Sequence, residues 1–234
     1  MISRTPLSKV WAVVPVKRFD QAKQRLSGVL DSAGRASLAA AMLSDVLEQL
    51  SETAGLTGVL VVTSDTEATA IAGSFGAAVL ADPADSGVND AVAYGVSKLG
   101  SLGASAAIIA PSDIPFVTSE EISSVLAALE QTAVVLAPAT RDGGTNILGL
   151  SPPDVIAPAF GPDSFARHCA LARDLRPAVI PLEGAGHDID EPADLALSPV
   201  SAKSRSGMRT IACLRTLGRT TLSAPTQFFE ETPP

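Results

Sequence analysis

Six short, unbroken apolar runs recur along the chain, and between them lie segments whose apolar residues return at helical spacing. The runs are VWAVVPV (10–16), GVLVVTS (58–64), AAVLA (77–81), AAIIA (106–110), AVVLAPA (133–139) and AVIPL (178–182). They are continuously apolar instead of alternating, the pattern of strands covered on both faces. The clearest helix spans 35–50, with Leu38, Met42, Val46 and Leu50 along one stripe. Another follows Thr118, where Thr118 and Glu121 form a Thr-x-x-Glu capping box ahead of ISSVLAAL. Such alternation predicts an α/β fold with a mostly parallel sheet and crossover helices. Ligands of these sheets bind beyond the carboxyl ends of the strands. There the sequence places KRFDQAKQRL, Asp65, DPADSGVND, PSDIP, TRDGGTN and GHDIDEP, one segment after each run. One rim of the sheet, charged and glycine-rich, is the candidate site.

Composition narrows what that site can serve. A net charge of −8 argues against a nucleic-acid or anionic-membrane surface, both of which need a basic face. A few local Lys and Arg side chains still suffice for a small phosphate. Cys169 and Cys213 are too few for a disulfide framework or a zinc knuckle. The apolar run near the N-terminus is too short for a signal-peptide core, and no stretch approaches the roughly 18 apolar residues of a membrane span. A soluble, cytoplasmic protein is expected, with one domain over 1–197. From 198 to 234 the composition shifts to Ser, Thr and Arg, which reads as a poorly ordered tail with a short helix near 210–217.

Several side chains on the rim could carry chemistry. Lys17, Lys23 and Arg25 follow the first strand and read either as solvated charges or as a grip on phosphates. Neither a Walker loop nor a dinucleotide fingerprint is present. Asp113 follows a buried strand, where it serves a turn or a magnesium ion, which favours one or two carboxylates plus substrate phosphates. Asp188 and Asp190 stand two apart in an extended segment and so point to the same side. Helix capping accounts for Asp190 but leaves Asp188 unexplained. Three converging carboxylates repel unless a metal joins them. Gly161 and Ser164 open a helix whose N-terminus could hold an anion, although Asp163 or Ser164 is equally a cap. Arg141 to Leu150, RDGGTNILGL, is by its Asp-Gly and Gly-Gly pairs a hairpin turn or a backbone cradle for an anion.

His168 and His187 are too few for a histidine-rich zinc site, and no Ser/His/Asp arrangement suggests itself. A reaction without a general base fits better. Nucleotidyl transfer onto a phosphate is one, because the attacking oxygen is already deprotonated at neutral pH. Its obstacle is charge: two unit charges 4 Å apart repel by about 4 kcal/mol at an effective dielectric near 20. Magnesium and Lys/Arg groups are the remedy.

VPVKRFDQAKQRL, ADPADSGVNDAVAYG, PSDIP, RDGGTN, FGPDSFARH and HDIDEPADL, in that order, resemble the guanylyltransferases of coenzyme F-420 biosynthesis. The resemblance implies a three-layer α/β/α, Rossmann-like fold of the nucleotide-diphospho-sugar-transferase type. It implies that GTP is attacked by the phosphate of a three-carbon phospho-acid: phosphoenolpyruvate, 3-phospho-D-glycerate or 2-phospho-L-lactate. Pyrophosphate leaves, and a second transferase takes the unstable product. By the same resemblance Thr145, Gly161 and Ser164 meet the phospho-acid, and Asp113, Asp188 and Asp190 hold Mg2+. Lys17, Lys23 and Arg25 face the GTP phosphates, Lys17 with a catalytic share, and Asn89 lies near the nucleoside. On this view RDGGTN is a turn in shape and a cradle in use. A nucleotidyltransferase for a sugar phosphate or a molybdenum cofactor, and a non-catalytic nucleotide-binding module, are the alternatives.

Overall fold

Seven strands form one sheet in the order β3-β2-β1-β4-β6-β5-β7. They are β1 (Val10–Val16), β2 (Leu56–Thr63), β3 (Ala78–Ala81), β4 (Ala106–Ile109), β5 (Val134–Pro138), β6 (Thr145–Leu150) and β7 (Ala178–Val179). The computed structural model describes residues 7–82, 87–195 and 206–218. The middle of DPADSGVND and the expected boundary at 197/198 lie outside these residues. All neighbouring pairs are parallel except β4–β6 and β5–β6, so β6 alone runs backwards.

Successive side chains in each strand feed opposite layers, as a pleated backbone requires. Val10, Ala12, Val14 and Val16 of β1 join a core with Leu43, Val46, Leu47 and Leu50 of α1 (Ser32–Glu52). The same core takes Ala68 and Ala72 of α2 (Thr66–Ser74) and Ile122, Val125 and Leu129 of α4 (Ser119–Leu129). Val13 of β1 joins the opposite core, with Val92, Val96 and Leu99 of α3 (Val88–Ser101) and with Phe165 and Cys169 of α5 (Ser164–Leu171). Gly95 lets α3 close on this face, because a Cβ there would stand 2.9 Å from Val13 Cγ1. The result is the expected α/β/α sandwich.

Two features shape the rim. Pro15 sits in a central strand, a position normally closed to proline because its missing N–H breaks a ladder. Here β4 pairs with β1 only from Val10↔Ala106 to Val13↔Ile109, and the Val13 carbonyl takes its last bond from Ala110 N. Two residues on, the missing Pro15 N–H faces the side that β4 has already left. The end of β1 thus stands clear, with a cleft beside it. The second feature is the reversal of β6. The hairpin from β5 is closed by Ala139 N donating to Gly144 O, and the first residues of β6 arrive at the rim where its parallel neighbours end.

Some expectations need correction. β6 is missing from the six runs because Gly149 shortens its apolar pattern and the turn masks its start. The last run yields a strand of only two residues, Ala178–Val179, since Pro181 can donate no hydrogen bond. Within 206–218 the short helix expected near 210–217 is present and is packed against the domain. It is α6 (Met208–Thr216), which packs Ile211 and Leu214 into a third cluster with Leu26, Leu30, Leu38, Met42, Phe116 and Ile189. Among the described residues no helix is long and apolar enough to cross a membrane.

Candidate active site

The chain leaves β1 through two short 3-10 turns, Phe19–Gln21 and Gln24–Leu26. Asp65 ties the first turn down: one carboxylate oxygen caps α2 and the other accepts from Phe19 N at 2.9 Å. Lys23 lies between the turns in a left-handed conformation, φ 52°. Its ammonium passes into the rim, 2.6 Å from Asp113 Oδ2 and 2.8 Å from Asp190 Oδ1. Burial alone would lower its pKa, but the two carboxylates outweigh burial and the result is raised. Arg25, more exposed, lies 3.5 Å from Asp190 Oδ2 and 3.4 Å from Glu191 Oε1. Lys17, Lys23, Arg25, Asp82, Asp113 and Asp190 line a cleft of about 450 Å³, with Gly87 and Val88 on one wall.

The alternation expected for HDID is present. Ile189 is buried and its N–H bonds Asp113 O at 3.0 Å, while the flanking aspartates turn to the rim. Asp190 does not cap a helix. That work falls to Asp194, which accepts from the N–H of Asp190 and Glu191 and pairs with Arg141. Asp188 lies 3.4 Å from Asn146 Nδ2, and burial, then the charge of Asp113, raises its pKa. The three aspartates therefore gather on one rim, but not as one cage. Lys23 stands between Asp113 and Asp190, and the described residues contain no group of three metal-ligating side chains. Asp113, although paired with Lys23, is near enough to Asp188 for its charge to act on it. Two neighbouring carboxylates, one of them resisting ionisation, are a donor set that suits magnesium with substrate phosphates.

Thr145, Gly161 and Ser164 come together in a second niche, at the start of β6. Ser164 Oγ accepts from Thr145 N at 2.9 Å, so Ser164 does not cap its helix, and Asp163 makes no side-chain cap either. Part of the backbone here is already bonded. Gly144 N donates to Asp142 Oδ1, Ser164 N to Gly161 O and Phe165 N to Gly143 O. RDGGTN has the bonding of a turn, while the N–H groups of Gly143 and Gly161 make no hydrogen bond among the described residues and stand beside the two hydroxyls. Asn89 follows the cleft residues Gly87 and Val88, and its amide clamps the backbone of Phe160, accepting from N at 2.7 Å and donating to O at 3.1 Å.

Three supporting residues escaped the sequence reading. Glu121 completes the capping box and also accepts from the N–H of Gly184 and Ala185, fixing the segment that carries Asp188. Asn146 reaches both Ala185 O and Asp188. His168, fully buried, contacts Thr145. Two of them left a signal, Glu121 in the capping box and His168 in its i+4 spacing from Ser164, but neither signal points to the site.

Residues 10–211 match the family described as "Guanylyl transferase CofC like". A phosphoenolpyruvate guanylyltransferase of Conexibacter woesei is 40% identical over 203 residues, covering 84% of this chain and 91% of that protein. One of Sphaerobacter thermophilus is 39% identical over 199 residues, covering 82% and 96%. A 3-phospho-D-glycerate guanylyltransferase of Phenylobacterium zucineum is 33% identical over 211 residues, covering 88% and 95%. Among solved structures, a protein of Desulfovibrio desulfuricans G20 assigned as a nucleotide-diphospho-sugar transferase superposes with a TM-score of 0.70 at 21% identity, covering 90% of this chain and 95% of that one. The likeness shows the fold. Family match and relatives together establish that this chain belongs to the CofC-like guanylyltransferases.

Proposed function

We propose that the protein transfers GMP from GTP to the phosphate of a three-carbon phospho-acid, phosphoenolpyruvate foremost, and releases pyrophosphate. The observation that carries this reading is the division of the rim. A cleft is lined by Lys17, Lys23 and Arg25, and a separate niche at the start of β6 holds the hydroxyls of Thr145 and Ser164. The names of the relatives at 40% and 39% identity support phosphoenolpyruvate over 3-phospho-D-glycerate.

In this reading the lysines and Arg25 face the triphosphate, while Gly87, Val88 and the start of the helix at Asn89 wall the nucleoside side. The niche, with Gly161 at its mouth, orients the acceptor. An oxygen of its phosphate forms the new bond to the α-phosphorus as the α–β bridge breaks toward pyrophosphate. That oxygen carries no proton at neutral pH, so no base is required. Asp113 and Asp188, with Asp190 behind Lys23, would hold magnesium, whose charge offsets the repulsion between the two substrates. The setting is the cytoplasm, and the labile product passes to a second transferase.

Pyrophosphate release from GTP, ATP and CTP, each with Mg2+ and each of the three phospho-acids or a sugar phosphate, tests the reading. Turnover is expected with GTP and phosphoenolpyruvate. Turnover with a sugar phosphate alone would overturn it, as would GTP binding without any turnover.

A further inference from the structure

We propose that His168 is the positioning residue of the acceptor niche, holding the Thr145 hydroxyl so that its proton is offered to the anionic acceptor. The inference rests on the acceptor assignment above and names the group that makes the niche specific for an anion. His168 lies one helical turn after Ser164 and faces the same way. Together they grip Thr145 twice: Ser164 Oγ takes its N–H at 2.9 Å and His168 Nδ1 meets its Oγ1 at 3.0 Å.

The direction of that second bond follows from the other ring nitrogen. Nε2 accepts from Ala159 N at 2.9 Å and so carries a lone pair. A neutral imidazole then has its proton on Nδ1. The ring is neutral: burial, helped by the charge of Arg167, lowers its pKa to about 4. Its edge-on contact with Phe160, centroids 5.0 Å apart, fixes the plane. His168 therefore donates and Thr145 Oγ1 accepts. The hydroxyl's own proton finds no acceptor among the described residues, and it is free for a ligand. An anion can only accept, so a hydroxyl locked as a donor is what it requires. A hydroxyl free to rotate would present its lone pairs for part of the time. The nearby backbone N–H groups of Gly144, Ser164 and Phe165 are already bonded, so this proton adds a side-chain donor to those that Gly143 and Gly161 still offer.

Two substitutions separate the ring's two nitrogens. In His168→Asn the amide nitrogen falls near the place of Nδ1 and keeps the bond to Thr145. In His168→Gln the amide reaches the place of Nε2 and the donor to Thr145 is lost. KM for phosphoenolpyruvate should rise roughly tenfold or more in His168→Gln, the range of one hydrogen bond to a charged partner. It should stay close to wild type in His168→Asn, with KM for GTP unchanged in both. Thr145→Val should raise the acceptor KM by a similar factor, and adding His168→Gln to it should change little further. Equal effects of Asn and Gln, or a parallel rise in KM for GTP, would overturn the proposal. Nitrogen-15 spectra of the histidine ring give a readout that needs no turnover. They should show the neutral Nδ1–H form from pH 8 to 5.5, and the Nε2–H form or an imidazolium would refute it. If the wild type ignores all three phospho-acids, the acceptor assignment falls, while the spectra still decide the tautomer.

Discussion

Lys23 shows what a single residue can and cannot disclose from sequence. Its place after β1, among other cations, marks it for phosphate work, and the cleft beside Pro15 agrees. That its ammonium would lie between Asp113 and Asp190 could not be read, because the three positions are brought together only by strand order and by a left-handed backbone at Lys23 itself. The same is true of Asp188, whose partner Asn146 arrives on a strand running the other way. Replacing Lys23 by Met removes the charge that joins two acids. A broken buried pair costs about 3–5 kcal/mol, and the solvent still reaching both carboxylates puts this one at the lower end. Urea unfolding of Lys23→Met in EDTA should show a loss of about 3 kcal/mol, and turnover should vanish. Unchanged stability would mean that the pair is idle.

At the scale of elements, the strands and the two marked helices were legible because burial on both faces and a capping box are local signals. Thr118 and Glu121 make both bonds of that box, at 3.2 and 3.1 Å. The docking of α6 was not legible, since its partner lies far away in the chain. Asp45, buried within α1, accepts from the N–H of Arg209 and Thr210 and thus caps α6 from outside. Arg209 adds a forked pair with Glu48 and lies 5.4 Å from the Phe75 ring centroid. Asp45→Ala should cost about 1–3 kcal/mol, the range for stranding buried donors. Hydrogen exchange should show α6 amides losing protection before those of α1. Glu48, by contrast, should matter little. The Arg209 bond lowers its pKa, so its share of stability is present above the ordinary value of 4.5 and fades as pH falls below that. Being largely solvated, the pair is screened, and Glu48→Gln should shift the acid limb of the stability curve only slightly.

For the molecule as a whole, the two halves of the rim rest on different cores. Leu26, Phe116 and Ile189 stand next to Arg25, near Asp113, and between Asp188 and Asp190, and all three belong to the cluster closed by α6. Met42 of that cluster also lines the cleft. Phe160, Phe165 and Cys169, which frame the acceptor niche, pack instead in the core under α3 and α5. Loosening one core should therefore disturb one substrate more than the other. Leu214 is fully buried on α6, and Leu214→Ala should cost about 2–5 kcal/mol with the cavity it leaves. Its mark on catalysis should be selective. Slack behind Lys23, Arg25 and Asp113 should raise KM for GTP several-fold, while KM for the phospho-acid stays near wild type. Steady-state kinetics with each substrate varied in turn, well below the variant's lowered Tm, would measure that split. Equal rises in both constants would mean that the site answers to one undivided core, and that α6 does no more than keep the domain folded.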